Sequence, residues 1–352
     1  MNTRQAVFRI FGEMPVSVTA EPLTDDKGIS SRISAGGSGV KRYRAVFPGG
    51  REICFIGKRK SVRVIANGIR MICGKDAVQT VQMILRHKIF GYNGSAVREA
   101  RLYGKKGVLP RALIPEVLGS AEGILQGSCL IAMRELPESE PAAPALFRIL
   151  EQIVRLHAKY YRKTALLRRL GVNCYTESDY RKTAGILLRM FDRLDAENRI
   201  VFSAGQIAEI RRFIQNIGSE FAAVSQRRTL THNDCCARNL CISGSRICLY
   251  DWELACCQNP EHDVIELLIS VMDALPDETV LRALDHCRSR LAALTGVTLT
   301  DAEYQKILRF NTLEYCVNKL ALLRYAGRSL HDSTPLLTAK NTARMLRLLG
   351  LS

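Results

Sequence analysis

The chain has 352 residues, of which 47% are hydrophobic, and its mean hydropathy is close to zero. This length can bury a sizeable core and provides enough chain for two domains or lobes. The formal net charge of +17 would suit an anionic partner such as nucleic acid, a membrane surface or a phosphorylated compound. The basic residues are spread through helical patterns, however. This spread favours a solvated basic surface that also attracts a nucleotide, and it disfavours a nucleic-acid partner.

The start of the chain and its cysteines indicate the compartment. The first 14 residues, MNTRQAVFRIFGEM, contain neither a long apolar core nor a small-residue cleavage site, so we expect no secretory signal. No stretch is long and apolar enough to span a bilayer. The twelve cysteines form neither a CxxC motif nor a zinc-like Cys/His spacing. We therefore predict a cytoplasmic protein with reduced thiols. A redox role for Cys235 or Cys236, which lie beside Asp234, is the alternative.

The first fifty residues predict a strand-rich region. A strand is expected over Ala6–Ile10, and two more, Ile29–Ser34 and Val40–Phe47, flank a glycine-rich turn. The turn contains Gly36, Gly37, Ser38 and Gly39. Glycines allow a backbone to approach phosphate closely, and successive N–H groups can cradle it. The turn is therefore a candidate phosphate loop, although a hairpin can use glycine without any ligand.

Two lysines lie near the end of a third predicted strand, Glu52–Lys60. Lys58 and Lys60 are two residues apart, so they point to the same face of the strand. The sequence leaves open which of them would contact an anion. An exposed basic edge strand would carry the same pattern.

Two helices and two strands complete a first lobe before a proline-rich crossing. Their predicted ranges are Asp76–Lys88, Ala96–Lys105, Val117–Gly119 and Cys129–Met133. The passage to a second lobe is marked by Pro137, Pro141 and Pro144. We therefore place the first lobe over residues 1–133, a connection over 134–137 and the second lobe over 138–352.

The second lobe is predicted to be mainly helical. Apolar residues recur at helical spacing over Pro144–Tyr161, Ser178–Leu194, Ser203–Val224, Glu261–Leu275, Asp277–Leu294, Asp301–Leu323 and Thr338–Leu349. Two of these helices begin with capping boxes, Ser203 with Gln206 and Thr300 with Glu303.

One stretch of the second lobe concentrates oxygen-bearing side chains. His232-Asn233-Asp234 is followed by Asn239, five residues after the aspartate. Two short apolar runs around a turn at Gly244-Ser245 predict a β-hairpin that leads to Asp251. This hairpin would bring Asp234, Asn239 and Asp251 together. Hard oxygen ligands of this kind suit Mg²⁺ and a phosphoryl acceptor.

The pattern His-x-Asp-x4-Asn, followed by a strand that ends in Asp251-Trp252-Glu253, resembles the aminoglycoside phosphotransferase and choline kinase family. The resemblance implies a bilobal α+β protein-kinase-like fold, with an N-terminal antiparallel-sheet lobe and a mainly helical C-terminal lobe. It also implies an ATP- and Mg²⁺-dependent phosphotransferase that acts on a hydroxyl of a small molecule. The acceptor would be an antibiotic, a sugar, an amino alcohol or another metabolite.

The resemblance implies a role for each residue of the motif. Asp234 would be the catalytic base, and Asn239 and Asp251 would hold Mg²⁺. Lys58, oriented by Glu99, would bind the α- and β-phosphates, with Lys60 as the alternative. His232 and His157 would be structural.

The resemblance also implies a nucleotide site between the lobes. Residues 134–137 would be the hinge, and the adenine would bond to the backbone from Met133 to Glu135. The glycine-rich turn at Gly36, Gly37, Ser38 and Gly39 would cover the phosphates. The donor could be ATP or GTP.

The sequence departs from the family between the aspartate and the asparagine. The family often has His, Pro and Gly where this chain has Cys236, Ala237 and Arg238. Arg238 could contact an anionic acceptor or the phosphoryl group, or it could form a salt bridge within its lobe. Four carboxylates after the motif could bind a polycationic acceptor: Glu253, Glu261, Asp263 and Glu266. The strongly basic charge favours a neutral or anionic hydroxyl compound instead.

Two other functions are compatible with the same residues. A protein kinase would share the site, but the short span from Asp251 to the helix at Glu261 leaves little room for a peptide-binding segment. A catalytically inactive nucleotide-binding module, or a basic scaffold recruited to nucleic acid, would rest on the charge alone.

Overall fold

A computed structural model describes residues 2–23, 39–62, 66, 69–70, 81, 88–91, 94–123, 128–196, 201–320 and 334–351. The expected strand at Ile29–Ser34 and three residues of the glycine-rich turn, Gly36, Gly37 and Ser38, lie outside these residues. So does nearly all of the helix expected over Asp76–Lys88.

The chain begins with a helix, α1 (Thr3–Phe11), so the strand expected over Ala6–Ile10 is wrong. Asn2 and Gln5 form a capping box, in which the Asn2 side chain accepts a hydrogen bond from the Gln5 N–H at 2.9 Å. Gly12 ends the helix in a left-handed conformation, with φ of 78°. Because local capping determines this segment, its short apolar run does not indicate a strand.

An antiparallel sheet of five strands forms the N-terminal part of the fold. The strands are β1 (Ser17–Pro22), β2 (Val40–Val46), β3 (Glu52–Ser61), β4 (Val117–Gly123) and β5 (Ser128–Met133), in the order β1-β2-β3-β5-β4. The four predicted strands at β2 to β5 are confirmed, whereas β1 was missed.

A helix covers each face of this sheet. Alternate residues of β5 point to opposite faces. Leu130 packs in the cluster that contains Val7 of α1, whereas Ile131 packs in the cluster that contains Ala100 of α2 (Ser95–Gly104). The second predicted helix is thus confirmed, and it carries Glu99 on the side that faces the sheet's lysines.

Eight helices dominate the described part of the chain after Pro144. They are α3 (Leu146–Tyr160), α4 (Thr164–Arg169), α5 (Glu177–Ala196), α6 (Ala204–Val224), α7 (Pro260–Val271), α8 (Asp277–Thr295), α9 (Asp301–Tyr315) and α10 (Thr334–Leu348). Both predicted capping boxes, at Ser203 and Thr300, are present. The short helix α4 was missed.

The last turn of α9 differs from the regular helix expected there. After Tyr315 the backbone forms a π-helical turn, Cys316–Leu320. Asn318 in this turn donates hydrogen bonds to Glu314 at 2.9 Å and to the carbonyl of Ile89 at 3.1 Å. Such turns are frequent at functional sites, because they change the direction of the side chains that follow.

Short strands lie between the helices and carry the motif. A three-stranded sheet has the order β6 (Asn173–Cys174), β10 (Cys256–Gln258), β7 (Thr229–Thr231), and the predicted hairpin is β8 (Leu240–Ser243) with β9 (Arg246–Leu249). The hairpin turns at Gly244, which has φ of 56°. Among the described residues, no helix has both the length and the apolar character needed to cross a bilayer.

Candidate active site

A loop between β7 and β8 carries the His-x-Asp motif, and helix α7 fixes its backbone. The buried Asp263 carboxylate accepts hydrogen bonds from the backbone N–H groups of His232 at 2.8 Å and Asn233 at 3.0 Å. Three residues further along α7, Glu266 accepts from the N–H of Cys235 at 2.8 Å. Asn233 has φ of 60°, in the left-handed region. The loop therefore depends on two carboxylates of α7 to hold a conformation that few side chains favour.

His262 holds the same loop from the other side. Its Nε2 atom lies 2.9 Å from Oδ1 of Asn233, and its Nδ1 atom lies 3.5 Å from a carboxylate oxygen of Glu314. Both ring nitrogens thus face acceptors, as in an imidazolium ion. Burial lowers the pKa of His262, but Glu266 and Glu314 outweigh burial and raise the pKa to about 9.

Two further histidines, His157 and His232, are buried and form hydrogen bonds inside the protein. His157 is fully buried and bonds to Asp263 at 3.0 Å. His232 is also fully buried, and its Nε2 donates to the carbonyl of Tyr250 at 2.8 Å. This second bond joins the loop directly to the strand end that precedes Asp251.

Asp234 has three partners at the surface of this loop. Its carboxylate accepts from Nη2 of Arg238 at 2.9 and 3.2 Å and from the amide of Asn239 at 2.9 Å. The ammonium of Lys319 lies 3.9 Å from Oδ1. Burial raises the pKa of Asp234, but the charges of Arg238 and Lys319 hold it well below the usual range. Asp234 is therefore ionised, and 23% of its side chain is exposed.

Lys319 was not found from the sequence. It lies in the π-helical turn, hydrogen-bonds to the backbone carbonyl of Asn233, and lies 3.5 Å from Glu266. Burial lowers its pKa, but Glu266 and Asp234 raise it overall, so the amine stays charged. Helical periodicity gives no signal for this contact, because the turn that aims the side chain breaks the periodicity.

Lys58 on β3 joins the two parts of the fold. Its ammonium lies 2.6 Å from Glu99 of α2 and 2.5 Å from Asp251, and only 6% of the side chain is exposed. Tyr103 donates to the other oxygen of Glu99 at 3.0 Å. Burial lowers the pKa of Lys58, but Asp251 and Glu99 raise it far above its usual value. The lysine, glutamate and aspartate named from the sequence thus meet at one point.

Lys60 pairs with the carboxylate of Glu253, two residues after Asp251. The same carboxylate also lies 3.8 Å from the ammonium of Lys58. Asp251 itself has φ of 69° and ψ of 52°, a left-handed conformation that turns the chain after β9. Glu99, Asp251 and Glu253 each offer an oxygen within 4.8 Å of the others, which is a donor set that fits a hard divalent cation.

Asn239 sits beneath Asp234 at the start of β8. Its amide nitrogen donates to the backbone carbonyl and to the carboxylate of Asp234. The backbone carbonyl of Asn239 accepts a hydrogen bond from the N–H of Tyr250 at 3.0 Å, which connects Asn239 to the strand that leads to Asp251. The nitrogen is thus committed to Asp234, and the amide oxygen is left for another partner.

The expected nucleotide residues lie at the ends of interior strands of the five-stranded sheet. Met133 ends β5, and the Glu135 carboxylate pairs with Arg42 of β2 on the exposed surface. Gly39 accepts from the N–H of Arg59 at 2.6 Å, and a Cβ at Gly39 would lie 3.0 Å from the carbonyl of Arg59. This residue of the glycine-rich turn is therefore close to the lysine strand.

The cysteines beside Asp234 are not reactive thiolates. Cys235 is fully buried, and burial raises its pKa well above the usual value. Burial also raises the pKa of Cys236 to about 12, despite the nearby Arg238. Both thiols are protonated at neutral pH.

A sheet lobe and a helical lobe, joined through Lys58, Glu99 and Asp251, define a bilobal protein-kinase-like phosphotransferase. Residues 80–294 match the model of a family described as the phosphotransferase enzyme family. This match covers more than half of the chain, and the chain belongs to that family. It is a phosphotransferase with an alcohol group as acceptor.

Several solved structures are similar to this chain. Choline kinase LicA from Streptococcus pneumoniae is similar to this chain with a TM-score of 0.51 and 13% identity, over 98% of this chain and 96% of that chain. The GDP complex of aminoglycoside 2′-phosphotransferase-IIIa has a TM-score of 0.48 and 13% identity, over 99% and 98% of the two chains. Macrolide 2′-phosphotransferase MphH from Brachybacterium faecium has a TM-score of 0.46 and 13% identity, over 97% and 96%. None of the curated protein sequences matches this chain significantly.

Proposed function

We propose that this enzyme transfers the γ-phosphoryl group of ATP to a hydroxyl of a small molecule. Asp234 orients and deprotonates the acceptor hydroxyl, and Lys58 binds the α- and β-phosphates with Glu99 holding it in place. Asn239 and Asp251 are the proposed ligands of Mg²⁺. In this assignment residues 1–133 form the nucleotide lobe, 134–137 the hinge and 138–352 the lobe that binds the acceptor.

The observation that carries the proposal is the meeting of Lys58 with Glu99 and Asp251. The two ion pairs, 2.6 and 2.5 Å long, join strand β3, helix α2 and the end of β9. A structural ion pair would need only one of these carboxylates. A buried lysine between two carboxylates from different parts of the fold is an arrangement expected where phosphates and a metal ion must be held together.

The contacts of Asp234 support a specific role for it in the proposed transfer. The acceptor oxygen forms a bond to the γ-phosphorus as the bond from phosphorus to the β-phosphate oxygen breaks, and ADP leaves. The hydroxyl proton passes to Asp234. Because the pKa of Asp234 is depressed, it is a weak base, so its main contribution is to orient the hydroxyl, and it takes the proton late.

The donor set around Asp251 supports magnesium. The carboxylate oxygens of Asp251 and the amide oxygen of Asn239 are hard ligands, which Mg²⁺ prefers. When bound, the ion would neutralise the phosphate charge. Glu253 is held by Lys60, so it is proposed as a support for this site and not as a direct ligand.

A small-molecule acceptor agrees with the chain after Asp251. Residues 252–259 are taken up by a 3-10 turn and strand β10, and α7 begins at Pro260. A peptide acceptor needs an extended segment at this place. This span therefore supports a small molecule over a protein as acceptor. The backbone from Met133 to Glu135 and the turn at Gly39 remain the proposed nucleotide contacts.

Asp234→Asn tests the proposal. The variant is expected to keep its fold and its affinity for an ATP analogue, measured by calorimetry. It should no longer convert ATP to ADP when it is assayed with a panel of hydroxyl compounds. Arg155→Gln is the matched control. Arg155 pairs with Glu151 on the same helix, α3, and it does not belong to the motif. Undiminished turnover in the Asn variant would sink the assignment of Asp234. Absence of nucleotide binding in the unaltered enzyme would sink the proposed function as a whole.

A further inference from the structure

The carboxylates that follow the metal motif are turned into the protein. Glu253 pairs with Lys60, and Asp263 accepts hydrogen bonds from two backbone N–H groups of the loop between β7 and β8. Glu266 accepts a third, and only 3% of it is exposed. Glu261 is 4% exposed. Within the described residues, none of these four carboxylates is therefore available to bind a polycationic acceptor.

Arg238 is the exposed charge at this place. It lies in the 3-10 turn Ala237–Asn239, and 46% of its side chain is exposed. Within the described residues, the guanidinium donates hydrogen bonds from one nitrogen, Nη2, to Asp234. The remaining N–H groups of the guanidinium are thus left beside the carboxylate that an acceptor hydroxyl must reach. Any acceptor in contact with Asp234 will therefore meet Arg238.

Lys319 holds Asp234 in a different way. Its side chain is 12% exposed and is fixed by the carbonyl of Asn233 and by Glu266. Asp234 thus has one fixed cation, Lys319, and one exposed cation on a flexible side chain, Arg238. The side chains of Arg238 and Asp234 are 46% and 23% exposed, so an anion that enters the site can reach the guanidinium and compete with Asp234 for it. Lys319 would still neutralise Asp234 after such an exchange.

We propose that the acceptor is a hydroxyl compound that also bears an anionic group, a carboxylate or a phosphate, and that Arg238 binds this group. The planar guanidinium matches both anions with two parallel hydrogen bonds. On binding, Arg238 leaves Asp234 for the acceptor, and Asp234 is then free to receive the hydroxyl. This inference rests on the proposed function, and it makes Arg238 the residue that determines specificity.

Anion binding provides a direct test. The full chain is saturated with Mg²⁺ and a non-hydrolysable ATP analogue, so that the phosphate site is filled. Inorganic phosphate and acetate are then titrated and followed by ligand-observed NMR. We expect at least one of them to bind saturably, with affinity reduced about tenfold or more in Arg238→Gln and by less than twofold in Arg155→Gln. The better of the two anions identifies the group that the acceptor carries.

The outcomes separate the inference from the proposed function. If neither anion binds, or if Arg238→Gln binds them as the unaltered enzyme does, the inference is overturned while the phosphotransferase assignment stands. The inference is also overturned if amino alcohols or aminoglycosides are the best acceptors in the panel of hydroxyl compounds. If the ATP analogue does not bind, the proposed function fails first.

Kinetics distinguish specificity from a merely structural role. With an acidic acceptor, Arg238→Gln is expected to raise KM much more than it lowers kcat, and Arg238→Lys should restore part of the loss. Lys319→Met should lower kcat for every acceptor alike, because it acts on Asp234. Equal losses of kcat in Arg238→Gln for acidic and neutral acceptors would contradict the assignment.

Discussion

His262 makes the stability of this protein depend on pH. Its two ring nitrogens face Asn233 on one side and Glu314 on the other, and Glu266 lies 3.5 Å away. The ring is 1% exposed. Replacing His262 with Gln keeps a donor for Asn233 but removes the positive charge between two buried carboxylates. The folded protein then loses an interaction that exists only with the protonated ring.

The size of this loss follows from the pKa of His262. The folded pKa is about 9, against 6.5 for a free histidine. A pKa raised on folding contributes stability that is fully present below pH 6.5 and is lost as pH rises through 9. The difference of about 2.5 units corresponds to about 3 kcal/mol in the free energy of unfolding. This is a large part of the stability of a typical domain.

Urea unfolding between pH 6 and pH 10 measures this contribution. The difference in unfolding free energy between the unaltered protein and His262→Gln should be largest near pH 6 and should shrink by about 3 kcal/mol by pH 10. His286→Gln, at a histidine that is 31% exposed, is the control for losing any histidine. A difference that stays constant with pH, or that grows as pH rises, would refute the protonated state of His262.

Three further substitutions probe the fold and the site. Gly57→Ala should destabilise the protein by about 1–3 kcal/mol in urea unfolding, because its Cβ would overlap the buried ring of Tyr43; full stability would show that the ring can move. Asp263→Ala should cost about 3 kcal/mol or more by the same measurement, since two backbone N–H groups lose a buried acceptor, and a cost below 1 kcal/mol would contradict its role. Lys58→Met should lower kcat/KM for ATP about 100-fold, because the phosphates lose the cation that is proposed to bind them and Glu99 loses its partner. A change below threefold would show that Lys58 does not bind the phosphates.

Much of the fold was accessible from local signals. The capping boxes at Ser203 and Thr300 and the hairpin around Gly244 are confirmed, because each depends on residues close together in the chain. The misassigned strand at Ala6–Ile10 has the same explanation. The capping residues Asn2 and Gly12 decide that segment, and they outweigh its few apolar residues.

The structure also decided which way the acidic residues point. Spacing alone shows that Asp263 and Glu266 lie one turn apart on a helix. It cannot show whether that turn faces a substrate or the loop between β7 and β8. Both carboxylates face the loop and satisfy its backbone N–H groups. Their orientation follows from the burial of α7 on nearly all sides, a property of packing between distant parts of the chain.

The sequence by itself predicted most of the helices and strands and the types of residue at the site. The motif from His232 to Asp251, with its fixed spacing, already indicated a phosphotransferase. Only the tertiary structure decided that Lys58 and not Lys60 meets Glu99, and that Lys319 reaches the loop between β7 and β8 from a π-helical turn. The reason is physical. A side chain's type and local spacing are written in the sequence, whereas its partner depends on where chain segments separated by tens or hundreds of residues pack against each other.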